Sequence, residues 1–278
     1  MNPVLLRPKK RSKLRIMLGK VFYRWKRYVQ WFTDGKKYAN HRELNTLYPY
    51  EGMKHQTLLM RKLKNVDMWY QTNKVINLKL AIEKLNGIVI RPGETFSYWR
   101  LIGHPTKRKG YVDGMVLHYG SFHKGVGGGV CQLSNLIYWI TLHTPLTVTE
   151  RHRHSYDVFP DSNRTQPFGS GATCAYNYLD LQIKNDTEIE FQLHLYLTDT
   201  HLVGEWRTTE PLLYTYQIYE KGHKITPAYW GGYLRQNMIA RKKFNRQGNL
   251  VDDENITENH AIMMYEPLLE MNKEEALL

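Results

Sequence analysis

Cys131 follows three consecutive glycines in Gly127-Gly128-Gly129-Val130-Cys131-Gln132, a setting in which a thiol can act as a nucleophile. Glycine lets the backbone turn tightly and come close to another group without Cβ obstruction. A helix that starts at Cys131 would lower the thiol pKa through its free amides and dipole. The same amides, from Gly129 to Gln132, would stabilise an oxyanion. The alternatives for this residue are a buried structural thiol and a metal or redox ligand.

A thiol nucleophile needs a base, and the base needs a group that orients it. Glu150-Arg151-His152-Arg153-His154-Ser155-Tyr156-Asp157 is the best supplier. In an extended chain His152 and His154 share one face, which Glu150 prolongs. His154 is the preferred base, with Glu150 or Asp157 as orienter; His152 is left to bind substrate or orient the segment. Gly129, Gln132, Ser155 and Asp180 are supporting or substrate-contacting candidates. His152 and His154 could instead offer two imidazoles to zinc, with Cys131 as a third ligand. A structural histidine pair is the remaining alternative.

Gly169-Ser170-Gly171-Ala172-Thr173-Cys174 forms a second tight turn. It lacks the Lys-Ser/Thr ending of a P-loop, and neither glycine cluster carries Gly-x-Gly-x-x-Gly, so no cofactor is implied. Two cysteines are too few for a disulfide-dependent scaffold.

The elements that must hold these residues are legible in outline. Apolar spacing predicts helices over 54–70, 75–86 and 132–143, with Asn86-Gly87 as a stop and Pro145 beyond the last. Residues 87–90 and 146–150 read as strands. Alternation through 179–183 and 189–197 about Asn185-Asp186-Thr187 predicts an antiparallel pair, and Lys221-Gly222 a second turn between strands. The fold class is therefore α+β, with helices preceding and flanking a largely antiparallel or mixed sheet. Three segments follow: a basic amphipathic segment at 1–37, an α+β domain at 38–250 and an acidic segment at 251–278 that reads as a solvated helix or tail.

The formal charge of +13 is concentrated, since residues 1–37 hold twelve Lys/Arg against Asp34 alone and leave +2 for the rest. That distribution argues against a nucleic-acid groove in the main domain. Leu14, Leu18, Val21, Trp25, Tyr28 and Phe32 fall on one helix face among cations. Such a stripe either packs on the domain or meets an anionic membrane surface through residues 12–32. No run of about 18 apolar residues spans a membrane, and Lys20, Arg24 and Lys26-Arg27 interrupt any signal-peptide core. The expectation is a cytoplasmic protein, with peripheral attachment at the inner membrane face as the variant.

The blocks Pro92-Gly93-Glu94-Thr95-Phe96-Ser97, Gly127 to Asn135, Glu150 to Ser155, Gly171-Ala172-Thr173 and Asp180 to Asn185 resemble, in this order, the VanW family of bacteria. Trp230-Gly231-Gly232-Tyr233 extends the resemblance toward the form that accompanies glycopeptide resistance. Many related proteins carry Asp immediately before the Ala-Thr pair, where this chain has Gly171. The resemblance implies a role in cell-envelope or peptidoglycan metabolism. With the residues above, it leads to a cysteine-dependent acyl transferase or amidase acting on a peptidoglycan-related peptide or precursor. The competing reading is a non-catalytic envelope-associated binding or scaffold protein.

Overall fold

The computed structural model describes residues 12–60, 67–118, 121–158 and 166–267. The helices are α1 (Lys13–Thr33), α2 (Trp69–Leu85), α3 (Tyr98–Ile102) and α4 (Cys131–Leu142). The strands are β1 (Tyr50–Leu58), β2 (Val89–Ile90), β3 (Thr95–Ser97), β4 (Asp113–His118), β5 (Ser121–Val126), β6 (Thr147–Glu150) and β7 (Tyr156–Asp157), continuing with β8 (Gln182–Lys184), β9 (Phe191–Leu197), β10 (His201–Thr208), β11 (Thr215–Pro227), β12 (Tyr233–Phe244) and β13 (Leu250–Met263). Among the described residues they form four sheets, ordered β1-β10-β9-β2, β11-β12-β13-β7, β3-β8-β6 and β4-β5. Only β7 with β13 pairs in parallel among these strands. The class is α+β with antiparallel and mixed sheets flanked by helices.

The core centres on α4, where Leu133, Leu136, Ile137 and Ile140 are all buried. A helix this apolar cannot present one face to solvent, and it packs against β10, β1 and β6. Trp206 on β10 fixes the contact, its Nε1 donating to Thr141 Oγ1 at 3.0 Å. On α2, Leu78, Ala81 and Leu85 join the same core, as their spacing predicts. The start of α4, and with it Cys131, is therefore set by central packing.

Several expected elements differ. Residues 54–58 lie in β1, which pairs antiparallel with β10, so the helix expected over 54–70 is absent there; residues 61–66 lie outside the described residues. The expected pairing of 179–183 with 189–197 does not form either, because β8 joins β3 and β6 while β9 joins β10 and β2. Asn185 redirects the chain between them: its Nδ2 donates to the Ile90 and Ile189 carbonyls, both at 2.8 Å. Lys221-Gly222 is a bulge inside β11, with a register shift between Lys221 and His223 and Gly222 at φ 68°.

The acidic stretch expected as a solvated helix or tail is strand β13 as far as Met263. The reason is on its neighbour: Asp252, Asp253 and Glu254 stand opposite Lys243, Lys242 and Arg241 of β12. Arg241 Nη2 meets Glu254 Oε1 at 2.5 Å. Residues 1–11 and 268–278 lie outside the described residues.

Candidate functional site

Cys131 is the first residue of α4, one position before the start expected from apolar spacing, and the glycine turn before it is clamped on three sides. Asn77 of α2 donates to the Gly128 carbonyl at 2.9 Å and accepts from the Val112 amide at 2.9 Å. A Cβ on Gly128 would sit 2.2 Å from the Gly114 carbonyl carbon, so two backbones touch where only glycine fits. Gly129 has φ 93°, and a Cβ there would fall 2.4 Å from Lys74 Cγ. The glycines thus serve close packing of backbone on backbone and on α2.

Cys131 is half-buried as a residue, and its Sγ donates to the Cys174 carbonyl at 3.5 Å. Burial pushes the thiol pKa up, against the lowering pull of the Cys174 and Cys131 backbone groups. Cys174 is buried and free, and burial raises its thiol pKa well above the ordinary value. The turn that carries it is bonded to α4: Ser134 Oγ donates to the Ala172 carbonyl at 2.7 Å, and the Ala172 amide donates to Asn135 Oδ1 at 2.8 Å. A Cβ at Gly171 would come 2.6 Å from Asn135 Oδ1. A larger residue there requires Asn135 to move.

The Thr173 amide, one residue before Cys174, donates to the His152 carbonyl at 2.8 Å and so ties the cysteine turn to the Glu150–Ser155 block. Within that block the shared face of Glu150 and His152 is realised, with His152 Nε2 and Glu150 Oε1 2.9 Å apart. Glu150 also receives a two-pronged contact from Arg27 of α1, at 2.7 and 2.5 Å, and the Asp180 amide at 3.1 Å. Burial works against the Glu150 carboxylate, but bonds from His152 and Arg27 outweigh it and hold its pKa below the ordinary value. Asp180 lies alongside, fully enclosed, accepting from Ser97 Oγ at 2.5 Å and the Trp99 amide at 2.9 Å. Burial lifts its pKa to about 6.

Alternate residues of the block point elsewhere. Arg151 donates to the Gly171 carbonyl at 2.7 and 2.9 Å and to Asn259 Oδ1 at 3.1 Å, and Arg153 donates to the His260 carbonyl. His154 is held near pKa 4 by burial and then by Arg151, partly offset by Asp157. Asp157 is engaged by Arg235 Nη1 at 3.1 Å and Tyr265 at 2.8 Å, which lock β7 to its sheet. Ser155 is exposed, and its carbonyl accepts from the Ile262 amide. Gln132 Nε2 donates to Thr57 Oγ1 and the Leu58 carbonyl, both at 2.9 Å, fastening α4 to β1.

The sequence-predicted residues therefore divide. Cys131 meets the Cys174 turn, Glu150 meets His152 and the Asp180 amide, and His154 and Asp157 lie in a separate electrostatic neighbourhood with Arg151. No hydrogen bond joins Cys131 to His152 or His154 among the described residues. Nor do three or more His, Cys, Asp or Glu among them converge as metal ligands, so the Cys131/His152/His154 zinc arrangement is not assembled. Sequence reasoning missed Arg27, which lies 123 positions from Glu150 and carried no local signal beyond its place on the amphipathic helix. A cavity of about 490 Å³ opens on the Arg151 side of the block, lined by Tyr138, Leu146, Arg153, Arg241 and Glu254 among others; Cys131 does not line it.

These features define an α+β protein with a helix-heading cysteine and, on the segment its neighbouring turn is bonded to, a half-buried carboxylate–imidazole–guanidinium cluster. Residues 73–207 match the family described as VanW like protein, the family whose motifs the sequence resembles. It is 42% identical over 172 residues to "Vancomycin B-type resistance protein VanW" of Enterococcus faecalis, a match that covers 62% of each chain. It is 29% identical over 109 residues to "Uncharacterized protein YoaR" of Bacillus subtilis, covering 39% of this chain and 34% of that one. The chain thus spans about 62% of the length of the first of these relatives and 34% of the second. No solved structure matches it.

Proposed function

We propose that this protein performs cysteine-dependent acyl transfer or amide hydrolysis on a peptidoglycan-related peptide or precursor, in a role accessory to glycopeptide resistance. The observation that carries the chemistry is the placement of a half-buried Cys131 at the head of α4, against a turn bonded to the His152 segment. The relative named for vancomycin resistance supports the setting. His152 is the base in this reading and Glu150 its orienter, because their contact at 2.9 Å matches the third-group geometry of a thiol triad. This moves the base from His154, whose depressed pKa makes it a weak proton acceptor.

Cys131 Sγ attacks the carbonyl carbon while its proton passes to the ring nitrogen of His152 that Glu150 does not hold. The C–N bond breaks, the amine leaves with that proton, and a thioester remains on Cys131. A second amine or water then takes the acyl group. Burial keeps the resting thiol protonated, so deprotonation accompanies attack rather than preceding it. The test is exchange or release of amine from stem-peptide substrates, followed by mass spectrometry with wild-type protein and Cys131→Ser. The reading requires turnover that the substitution abolishes; equal turnover in the two proteins would refute it.

A second reading, a non-catalytic envelope-associated binding or scaffold protein, is favoured by the bond from the Cys131 thiol to the Cys174 carbonyl. In that case Cys131→Ala retains full accessory function in cells.

A further inference from the structure

Helix α1 is two-faced in an unusual sense, because its charged side docks and its apolar side is bare. Arg27 and Trp31 are buried, at 6% and 8% exposure. Arg24 Nε donates to the Tyr176 carbonyl at 3.2 Å, and Tyr28 and Tyr176 share a hydroxyl contact at 2.6 Å. Opposite them Leu14, Leu18, Val21, Phe22, Trp25 and Val29 form a continuous stripe at helical spacing, with Leu18 56%, Phe22 62% and Trp25 67% exposed. Arg15 and Lys26 border the stripe, and neither is in an ion pair among the described residues. No acidic residue occurs between Ser12 and Thr33.

We propose that the outer face of α1 seats the protein on an anionic lipid surface, with the aromatic stripe in the interfacial layer and the cations among the headgroups. Charge decides the occupant. A second copy would bring the same unneutralised cations together, whereas anionic headgroups neutralise them. The helix lies along the surface, since no helix among the described residues is long and apolar enough to cross a membrane. The inner face of the same helix holds Glu150 through Arg27, which sets the carboxylate about one helix diameter, roughly 10–12 Å, from the lipid. A substrate displayed at a bilayer surface fits that placement. The seating does not depend on the thiol chemistry and is measured without turnover.

The experiment uses the full chain with vesicles of phosphatidylglycerol and phosphatidylcholine, and with phosphatidylcholine alone, read by cosedimentation and by tryptophan emission, to which the exposed Trp25 contributes. Wild-type protein is expected to bind the anionic vesicles, to release at high salt and to blue-shift. Leu18→Ser/Phe22→Ser/Trp25→Ser should weaken binding about ten-fold or more while thermal unfolding stays unchanged, because all three side chains are exposed. Arg15→Gln/Lys26→Gln should weaken it roughly five-fold per charge, and carries the test if the triple variant fails to fold. Binding that is no stronger to anionic than to neutral vesicles overturns the proposal, as does undiminished binding of the variants. A concentration-dependent dimer that the triple variant abolishes, without vesicle binding, would also overturn it by assigning the face to a second copy.

Discussion

Replacing His154 with glutamine should flatten the acid side of the protein's stability profile. Burial and then Arg151 hold the folded-state pKa of His154 near 4, while an unfolded histidine titrates near ~6.5. Between those values the unfolded chain binds the proton and the folded one does not. Stability rises with pH across that window and is lost as pH falls from about 6.5 toward 4. Integrated from pH 7 to pH 4.5, the linkage contributes about 2 kcal/mol of wild-type loss that His154→Gln cannot show. Asp180, raised to about 6, has the opposite sign: its folded form holds the proton more tightly, so it adds stability as pH falls through 6. Because both proteins retain Asp180, its contribution cancels in the difference between them. Urea unfolding of the two proteins at pH 7 and pH 4.5 gives the four free energies required. Parallel losses, equal within about 0.5 kcal/mol, would mean that His154 protonates normally in the folded state and would refute its depressed pKa.

Two further substitutions probe the scaffold of the site. Gly128→Ala forces a Cβ to 2.2 Å from the Gly114 backbone, so it should cost about 2–3 kcal/mol and lower Tm by roughly 5–10 °C, measured by thermal unfolding. An unchanged Tm would contradict the backbone contact. Arg27→Met leaves Glu150 with only His152 and the Asp180 amide. The cost should be about 2–3 kcal/mol, below that of a fully buried pair because the Glu150 side chain keeps 18% exposure. Arg27→Met/Glu150→Met should recover most of that loss in denaturant unfolding, and additive losses would exclude the coupling.

The sequence carries local features of this fold better than long-range ones. Helix α4 and the strand before His152 follow from apolar spacing, and the i, i+2 relation of Glu150 and His152 follows from extended geometry. Strand β1 was illegible because its partner β10 lies about 150 residues away, and local spacing of Leu and Met imitates a helix. The acidic stretch likewise gains its meaning only beside the cations of β12. His154 illustrates the limit at the site: an extended face shared with His152 says nothing about burial, which, with Arg151, depresses its pKa. The α1 stripe is visible in sequence, yet only the docking of Arg27 and Trp31 shows that the stripe faces outward.

The central claim is that His152, rather than His154, serves Cys131. The direct measurement is the rate at which an activated stem-peptide ester acylates Cys131, followed by intact mass and peptide mapping in wild-type, His152→Gln and His154→Gln proteins. General-base assistance is worth roughly 100-fold or more, so His152→Gln should slow acylation by at least that factor, while His154→Gln should change it less than about three-fold. Acylation that is indifferent to His152, or an absence of acyl group on Cys131 in folded wild-type protein, would contradict the account.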